Sequence, residues 1–124
     1  MGSAEFYSAV EDIEEVSEAL VIDLSGLNRE DRLVLFVALR EGIVLDDALR
    51  GKINARLKSQ VSPRHVPDAI YSVPEIPHTL NGKKLEVPIK RILLGAQPEK
   101  VVSREAMSNP DSLAIFIELA KKPV

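Results

Sequence analysis

The sequence predicts an α+β domain: a small antiparallel sheet of about three strands, plus a short hairpin-like loop, with helices packed on one side. The 124 residues suffice for one domain, and 45% of them are hydrophobic, a normal globular share. Apolar residues alternate or run continuously in three short segments, as in strands. In four other segments they repeat with helical spacing, which gives the order α-β-β-α-β-loop-α-α.

The first third of the chain predicts a helix followed by a β-hairpin. Positions i, i+3, i+4 and i+7 form one apolar helical face: Phe6, Ala9, Val10 and Ile13. Residues 16–24 alternate as a strand, and the seven apolar residues at 33–39 are typical of a buried strand. Turn-forming residues at 25–29 lie between them, so we expect the two strands to pair antiparallel.

The middle of the chain predicts a long amphipathic helix, a stiff loop and a short strand. Leucine or isoleucine recurs every fourth residue within 45–61, with Ala48 beside this stripe. Asp46 and Asp47 fall where a helix N-terminus favours anions. Two prolines stiffen residues 62–67, and residues 69–73 form a short apolar strand segment.

The last third predicts a turn and two further helices. Residues 74–82 are bounded by proline and end in Asn-Gly, a dipeptide that forms tight turns. A short helix follows around 89–93, with Pro88 at its first position and Gly95 just past its end. Residues 97–108 are polar and are expected to form a loop. A last helix begins at Asn109-Pro110 and has an apolar face: Leu113, Phe116, Ile117 and Ala120.

Composition excludes several classes of function. The chain contains no cysteine, which excludes disulfides, a thiolate nucleophile and Cys-ligated metals. A net charge of -3 and few aromatic residues argue against nucleic-acid binding. The two histidines are not at metal-ligand spacing, and phosphate-loop and nucleophile-elbow motifs are absent from the sequence. No apolar run reaches the roughly 18 residues of a membrane span. We therefore expect a cytoplasmic domain that holds no metal and has no nucleic-acid or membrane partner.

One segment points to chemistry. Residues 77–84, PHTLNGKK, combine a stiffening proline, a turn at Asn81-Gly82 and two consecutive lysines. An ammonium group held out on a rigid turn suits phosphate or carboxylate oxygens. The alternative is an ordinary turn in which the lysines only keep the surface soluble, and the residues by themselves leave both interpretations open.

The segment VPEIPHTLNGKKLEVPIKRILLG resembles the C-terminal signature of acyl-CoA synthetases in the adenylate-forming superfamily, whose motif is P-x-T-x-[SN]-G-K. It is most similar to the acetoacetyl-CoA synthetase group, in which KLEVPxK follows the motif. The tail NPDSLAIFIELA and the opening GSAEFY also resemble that group, so the resemblance spans essentially the whole chain. It implies that residues 1–124 are a single C-terminal lid domain, that 96–124 form an extension with a last helix, and that a large N-terminal AMP-binding domain is absent.

The resemblance also implies roles for individual residues. Lys83 matches the adenylation lysine, and Gly82 lets the backbone approach the substrate and ATP. Gly2, Lys58 and Arg64 become candidates for binding CoA, although a lysine near a helix C-terminus equally answers the helix dipole. Lys84 is expected to be an ordinary solvated charge, with assistance to Lys83 as the lesser alternative, and Thr79 and Asn81 are expected to shape the turn. His78 replaces the basic residue usual in the motif.

The activity implied is that of an ATP-dependent acid–thiol ligase. Acetoacetate, ATP and CoA would give acetoacetyl-CoA, AMP and pyrophosphate, with Mg²⁺ required by the full-length enzyme. The chain alone is expected to be inactive and to bind no cofactor tightly, because one wall of an interdomain site excludes no water. Its partners would be its own N-terminal domain and the small-molecule substrates. Two alternatives remain: the same role with another short or medium carboxylic acid, or a non-enzymatic α+β binding module.

Overall fold

The computed structural model describes residues 3–24 and 32–121, and within these ranges five α-helices surround a three-stranded sheet. Three short 3-10 turns lie between the later elements, at Pro63–His65, Arg104–Ala106 and Pro110–Ser112. The predicted α+β class is confirmed. The helices and strands follow in this order: α1 Ser3–Glu11, β1 Val16–Asp23, β2 Leu33–Leu39, α2 Asp47–Gln60, β3 Ala69–Ser72, α3 Glu86–Leu93, α4 Pro98–Val101 and α5 Leu113–Ala120.

The sheet has the order β1-β2-β3 and is mixed rather than antiparallel. β1 and β2 pair antiparallel, as predicted, with Leu20 opposite Phe36. The turn predicted at 25–29 lies outside the described residues. β3 instead runs parallel to β2, with Leu35 opposite Ile70. The prediction of a fully antiparallel sheet is therefore wrong, because α2 lies between β2 and β3 and is long enough for the crossover that parallel strands require.

Helices cover both faces of the sheet, which corrects the prediction of a single helical layer. Side chains of β2 alternate between two buried clusters: Val34 and Phe36 belong to one, Leu35 and Val37 to the other. The first cluster holds residues of α3 and α5, and the second holds residues of α1 and α2. Burial of both faces explains why β2 is apolar at every position.

The helix boundaries follow local capping. Leu49, Ile53 and Leu57 of α2 are buried as predicted, whereas Ala48 is exposed. The Asp46 carboxylate caps α2 by accepting from the Leu49 N–H at 2.8 Å. In α3, Pro88 is the third helical residue rather than the first. Among the described residues, no helix is both long enough and apolar enough to cross a membrane.

The segment predicted as a polar loop at 97–108 is partly helical. It contains α4 and the 3-10 turn Arg104–Ala106, and its Met107 is only 4% exposed. Pro98 stands at the start of α4, where a proline is tolerated because the first N–H groups have no helical acceptor. Met107 packs in the same cluster as Phe36 and Phe116, so this segment is fixed to the core.

Candidate functional site

Residues 77–84, here called the lysine hairpin, form a tight reversal closed by backbone hydrogen bonds. The Thr79 N–H donates to the Lys83 carbonyl oxygen at 2.8 Å, and the Gly82 N–H donates to the Thr79 carbonyl oxygen at 2.9 Å. The Lys83 N–H in turn donates to the Thr79 hydroxyl oxygen at 3.1 Å. His78 pairs with Lys84 in an antiparallel bridge. Thr79 therefore shapes the turn, as predicted.

Gly82 makes the reversal possible. Its φ is +84°, in the left-handed region that residues with a Cβ rarely adopt. A Cβ placed there would meet no atom within 4 Å, so the requirement is conformational rather than steric. Lys83 follows directly and is exposed. Its ammonium makes no hydrogen bond or ion pair within the described residues and is available to an anion.

A second segment anchors the lysine hairpin to the core. The Leu80 N–H donates to the Ala106 carbonyl oxygen at 2.9 Å, and the Ser108 N–H donates to the His78 carbonyl oxygen at 3.1 Å. The Asn109 amide adds two bonds: its Oδ1 accepts from the His78 N–H at 3.0 Å, and its Nδ2 donates to the Ile76 carbonyl oxygen at 2.9 Å. Sequence reasoning placed Asn109 only at a helix start and missed this role, since its partners lie more than thirty residues away.

Lys84 is not a solvated charge, which corrects the prediction. Its Nζ lies 2.6 Å from Glu11 Oε2 and 3.5 Å from the centroid of the Tyr7 ring. The Lys84 side chain is only 18% exposed. His78, on the opposite arm of the hairpin, contacts the Glu18 carboxylate through Nε2. Both arms of the lysine hairpin therefore contact acidic groups near β1, while Lys83 between them stays free.

Tyr7 links this network to the free edge of β1. Its hydroxyl accepts from the Val21 N–H at 3.1 Å and donates to Glu86 Oε2 at 2.5 Å. Burial, followed by the hydrogen bond to Glu86, raises the pKa of Tyr7 well above its usual value of about 10. The phenol therefore stays protonated at neutral pH and keeps donating to Glu86.

The CoA candidates lie elsewhere on the domain. Lys58 is in the last turn of α2, and Arg64 is in the 3-10 turn that packs against α2; both are exposed. Ile76 and Leu85 flank the lysine hairpin and are buried in the first cluster. α2 packs on the other face of the sheet, in the second cluster. The lysine hairpin also contacts α1 through Lys84, and α1 packs with α2 in the second cluster. Gly2 lies outside the described residues.

The side chains of the lysine hairpin suit an anion rather than a metal. Within residues 3–24 and 32–121, no group of three or more histidine and acidic side chains is arranged to hold a metal ion. Glu11 and Glu18 already contact Lys84 and His78. The arrangement therefore offers one free ammonium on a rigid support, which is the chemistry for stabilising developing negative charge on oxygen.

Known proteins similar to this chain point to one family. The family described as AMP-binding enzyme C-terminal domain matches residues 5–83. Acetoacetyl-coenzyme A synthetase of Rhizobium meliloti (strain 1021) is 42% identical over 96% of this chain, and acetoacetyl-CoA synthetase of Danio rerio is 37% identical over 95%. The chain covers only 18% and 17% of the lengths of these two relatives.

Solved structures show the same similarity. Acetoacetyl-CoA synthetase from Streptomyces lividans matches with a TM-score of 0.89 and 45% identity, covering all of this chain and 18% of that protein. Acyl-CoA synthetase of Brucella canis matches with a TM-score of 0.61 and 29% identity over 76% of this chain. The family match covers well over half of the chain, and the chain therefore belongs to the family of AMP-binding enzyme C-terminal domains.

Proposed function

We propose that this chain acts as the C-terminal domain of an ATP-dependent acyl-CoA ligase whose acid substrate is acetoacetate. The reaction converts acetoacetate, ATP and CoA into acetoacetyl-CoA, AMP and pyrophosphate. The observation that carries the proposal is Lys83: an unpaired, exposed ammonium on a hairpin whose two arms are anchored to the core. Acetoacetate is proposed because relatives that match nearly the whole chain are named for acetoacetyl-CoA.

Lys83 serves the first half-reaction in this proposal. A carboxylate oxygen of the acid attacks the α-phosphorus of ATP, and the bond from that phosphorus to the pyrophosphate oxygen breaks. Negative charge builds on the oxygens around the α-phosphorus, and an ammonium delivered there by domain closure stabilises it. The free Nζ of Lys83 meets this requirement, whereas the Lys84 ammonium is already paired with the Glu11 carboxylate.

Lys58 and Arg64 serve the second half-reaction, in which the CoA thiol displaces AMP from the acyl-adenylate. Both are exposed cations suited to the phosphates of CoA. Both lie at or just after the C-terminal end of α2, in a different segment from the lysine hairpin, and we propose that the domain rotates between the two steps to present each segment in turn. Gly2 is proposed to line the path of the CoA arm at the hinge.

The partner of this domain is proposed to be a large N-terminal domain that binds the nucleotide and the acid. Relatives roughly five times longer than this chain support that assignment. Mg²⁺ is proposed to bind with ATP in that N-terminal domain. The isolated chain is expected to be inactive, because one wall of an interdomain site does not exclude water.

A chimaera tests the proposal. The chain replaces the corresponding 18% of the Streptomyces lividans enzyme, to which it is 45% identical. We expect acetoacetate-dependent exchange of pyrophosphate into ATP at a rate within about tenfold of that enzyme, since only a few placed groups must be preserved. The truncated enzyme without the chain is the control. A chimaera no more active than the truncated enzyme would refute the proposed role.

Specificity for acetoacetate needs the natural N-terminal domain, because the acid pocket is assigned to it. The same exchange assay on the native full-length protein, run with acetoacetate and with other short and medium carboxylic acids, decides this point. Exchange with acetoacetate alone supports the assignment. Exchange only with other acids would agree with the ligase mechanism and would refute acetoacetate as the substrate.

The CoA assignment predicts a selective change in KM. Replacing Lys58 and Arg64 together with alanine should raise the KM for CoA about a hundredfold or more, since each loses a charge-assisted hydrogen bond worth roughly 1.5–3 kcal/mol and about 1.4 kcal/mol is tenfold. Steady-state kinetics against CoA measure this, and acetoacetate-dependent exchange, which needs no CoA, is the internal control. An unchanged KM for CoA would refute the proposed contacts of Lys58 and Arg64 with CoA.

A further inference from the structure

We propose that Lys84 is a positioning residue for adenylation: its ammonium fastens the lysine hairpin to α1 and so fixes the direction in which Lys83 is presented. This proposal rests on the proposed role of Lys83. It concerns the neighbouring lysine, whose side chain is turned away from solvent, and it gives the two consecutive lysines of the hairpin different functions.

Side chains alternate in direction along the extended backbone at Lys83 and Lys84. Lys84 pairs with His78 in an antiparallel bridge, so successive side chains at this point face opposite directions. Lys83 is exposed, and Lys84 is turned inward, with only 18% of its side chain accessible. The backbone therefore assigns one lysine to solvent and the other to the domain.

The Lys84 ammonium contacts a carboxylate and an aromatic ring. Its Nζ lies 2.6 Å from Glu11 Oε2 and sits over the Tyr7 ring, 3.5 Å from the ring centroid. The ammonium therefore lies between a carboxylate and an aromatic face, both of which attract a cation. A neutral side chain at this position would make neither interaction. Both partners belong to α1, which lies more than seventy residues earlier in the chain.

Glu11 and Tyr7 are themselves held in place by hydrogen bonds to β1. Glu11 Oε2 also accepts from the Ala19 N–H at 2.9 Å, and the Tyr7 hydroxyl accepts from the Val21 N–H at 3.1 Å. Both amides lie on β1, a strand at the edge of the sheet. Lys84 is therefore held by groups that are hydrogen-bonded to the sheet rather than by mobile surface side chains.

The consequence concerns orientation rather than folding. Hydrogen bonds from the backbone of Ala106 and Ser108 and from the Asn109 side chain hold the arm of the hairpin that contains His78, and they do not involve Lys84. The arm that carries Lys83 and Lys84 is bonded to the other arm through the Lys83 N–H and carbonyl oxygen and continues into the buried Leu85, and the Lys84 ammonium adds a side-chain contact to α1. Loss of the Lys84 contact leaves these bonds in place but removes one restraint on this arm, so Lys83 moves more, and a misplacement of its ammonium by about 1 Å costs up to about a hundredfold in rate.

The kinetic test compares Lys84→Met, which keeps the length of the side chain and removes its charge, with Lys84→Arg, which keeps a cation for Glu11 and Tyr7. Lys100→Met, at an exposed lysine of α4, is the matched control. In the chimaera that contains this domain, we expect Lys84→Met to lower kcat for acetoacetate-dependent ATP–pyrophosphate exchange about tenfold. The KM for ATP should stay within about twofold, and Lys84→Arg should restore most of the rate.

The thioester half-reaction separates positioning from stability. With preformed acetoacetyl-adenylate and CoA, Lys84→Met should react at the rate of the unsubstituted protein, because Lys83 is proposed to act only in adenylation. Glu11→Gln should reproduce the exchange defect, and combining it with Lys84→Met should add little. Equal losses in both half-reactions, accompanied by a lower unfolding midpoint, would mean a purely structural role and would overturn the proposal.

A measurement on the 124-residue chain needs no enzyme activity. Amide hydrogen exchange of the Lys83 N–H should accelerate about tenfold in Lys84→Met, while that of Val37 in the centre of the sheet should not change. Unchanged protection at Lys83 overturns the proposal. If Lys83→Ala abolishes adenylation while Lys84→Met remains fully active, only the positioning role of Lys84 is refuted. If Lys83→Ala is fully active, the proposed roles of both Lys83 and Lys84 are refuted.

Discussion

Replacement of Lys83 with alanine is expected to lower acetoacetate-dependent ATP–pyrophosphate exchange by about 10²–10³-fold, which is the usual cost of removing one preorganised donor from a developing oxyanion. The backbone of the hairpin is closed by bonds that do not involve the Lys83 side chain, so the variant should fold normally. The measurement is the incorporation of labelled pyrophosphate into ATP by the chimaera or by the native full-length protein.

Two comparisons make this result specific. Lys100→Ala removes another exposed lysine, from α4, and should leave the exchange rate unchanged. The Lys83→Ala protein should still convert preformed acetoacetyl-adenylate and CoA into the thioester at close to the normal rate. Equal exchange in Lys83→Ala and the unsubstituted protein would show that the lysine hairpin is an ordinary turn.

Local patterns in the sequence were sufficient for most elements and for the turn that presents Lys83. The apolar run at 33–39 predicts β2 with the bounds that the structure gives. Asn81-Gly82 predicts the reversal, and Gly82 does adopt a positive φ. Such signals are contained within a few neighbouring residues, and side-chain periodicity or backbone preference is enough to read them.

The features that sequence reasoning missed depend on contacts between distant segments. The parallel pairing of β3 follows from the path of α2 across the sheet, which composition does not encode. Asn109 contacts residues near 76–78, and Lys84 contacts Glu11, seventy-three positions away. Apart from the resemblance, no local rule separates Lys83 from Lys84, because the difference between them arises from what α1 places beside one of the two ammonium groups.

The same long-range packing connects the centre of the sheet to the lysine hairpin. Phe36 of β2 stacks on Tyr71 of β3 with ring centroids 5.7 Å apart and meets Phe116 of α5 edge-on at 4.9 Å. Met107, beside the hairpin residue Thr79 in a β-bridge, is buried in the same cluster. The position of the hairpin therefore depends on a core built from the middle and the end of the chain.

Phe36→Ala is accordingly expected to cost about 3–5 kcal/mol in the free energy of unfolding, because a fully buried aromatic ring is lost and its cavity is lined by two other rings. Urea denaturation of the 124-residue chain measures this as a lower midpoint with an unchanged slope. Val44→Ala, at a side chain that is 75% exposed, is the control and should change stability by less than about 0.5 kcal/mol. Since domains of this kind are stable by about 5–15 kcal/mol, the Phe36 variant should retain little margin. A cost below about 1 kcal/mol would mean that the Phe36 ring does not pack against Tyr71 and Phe116 as described.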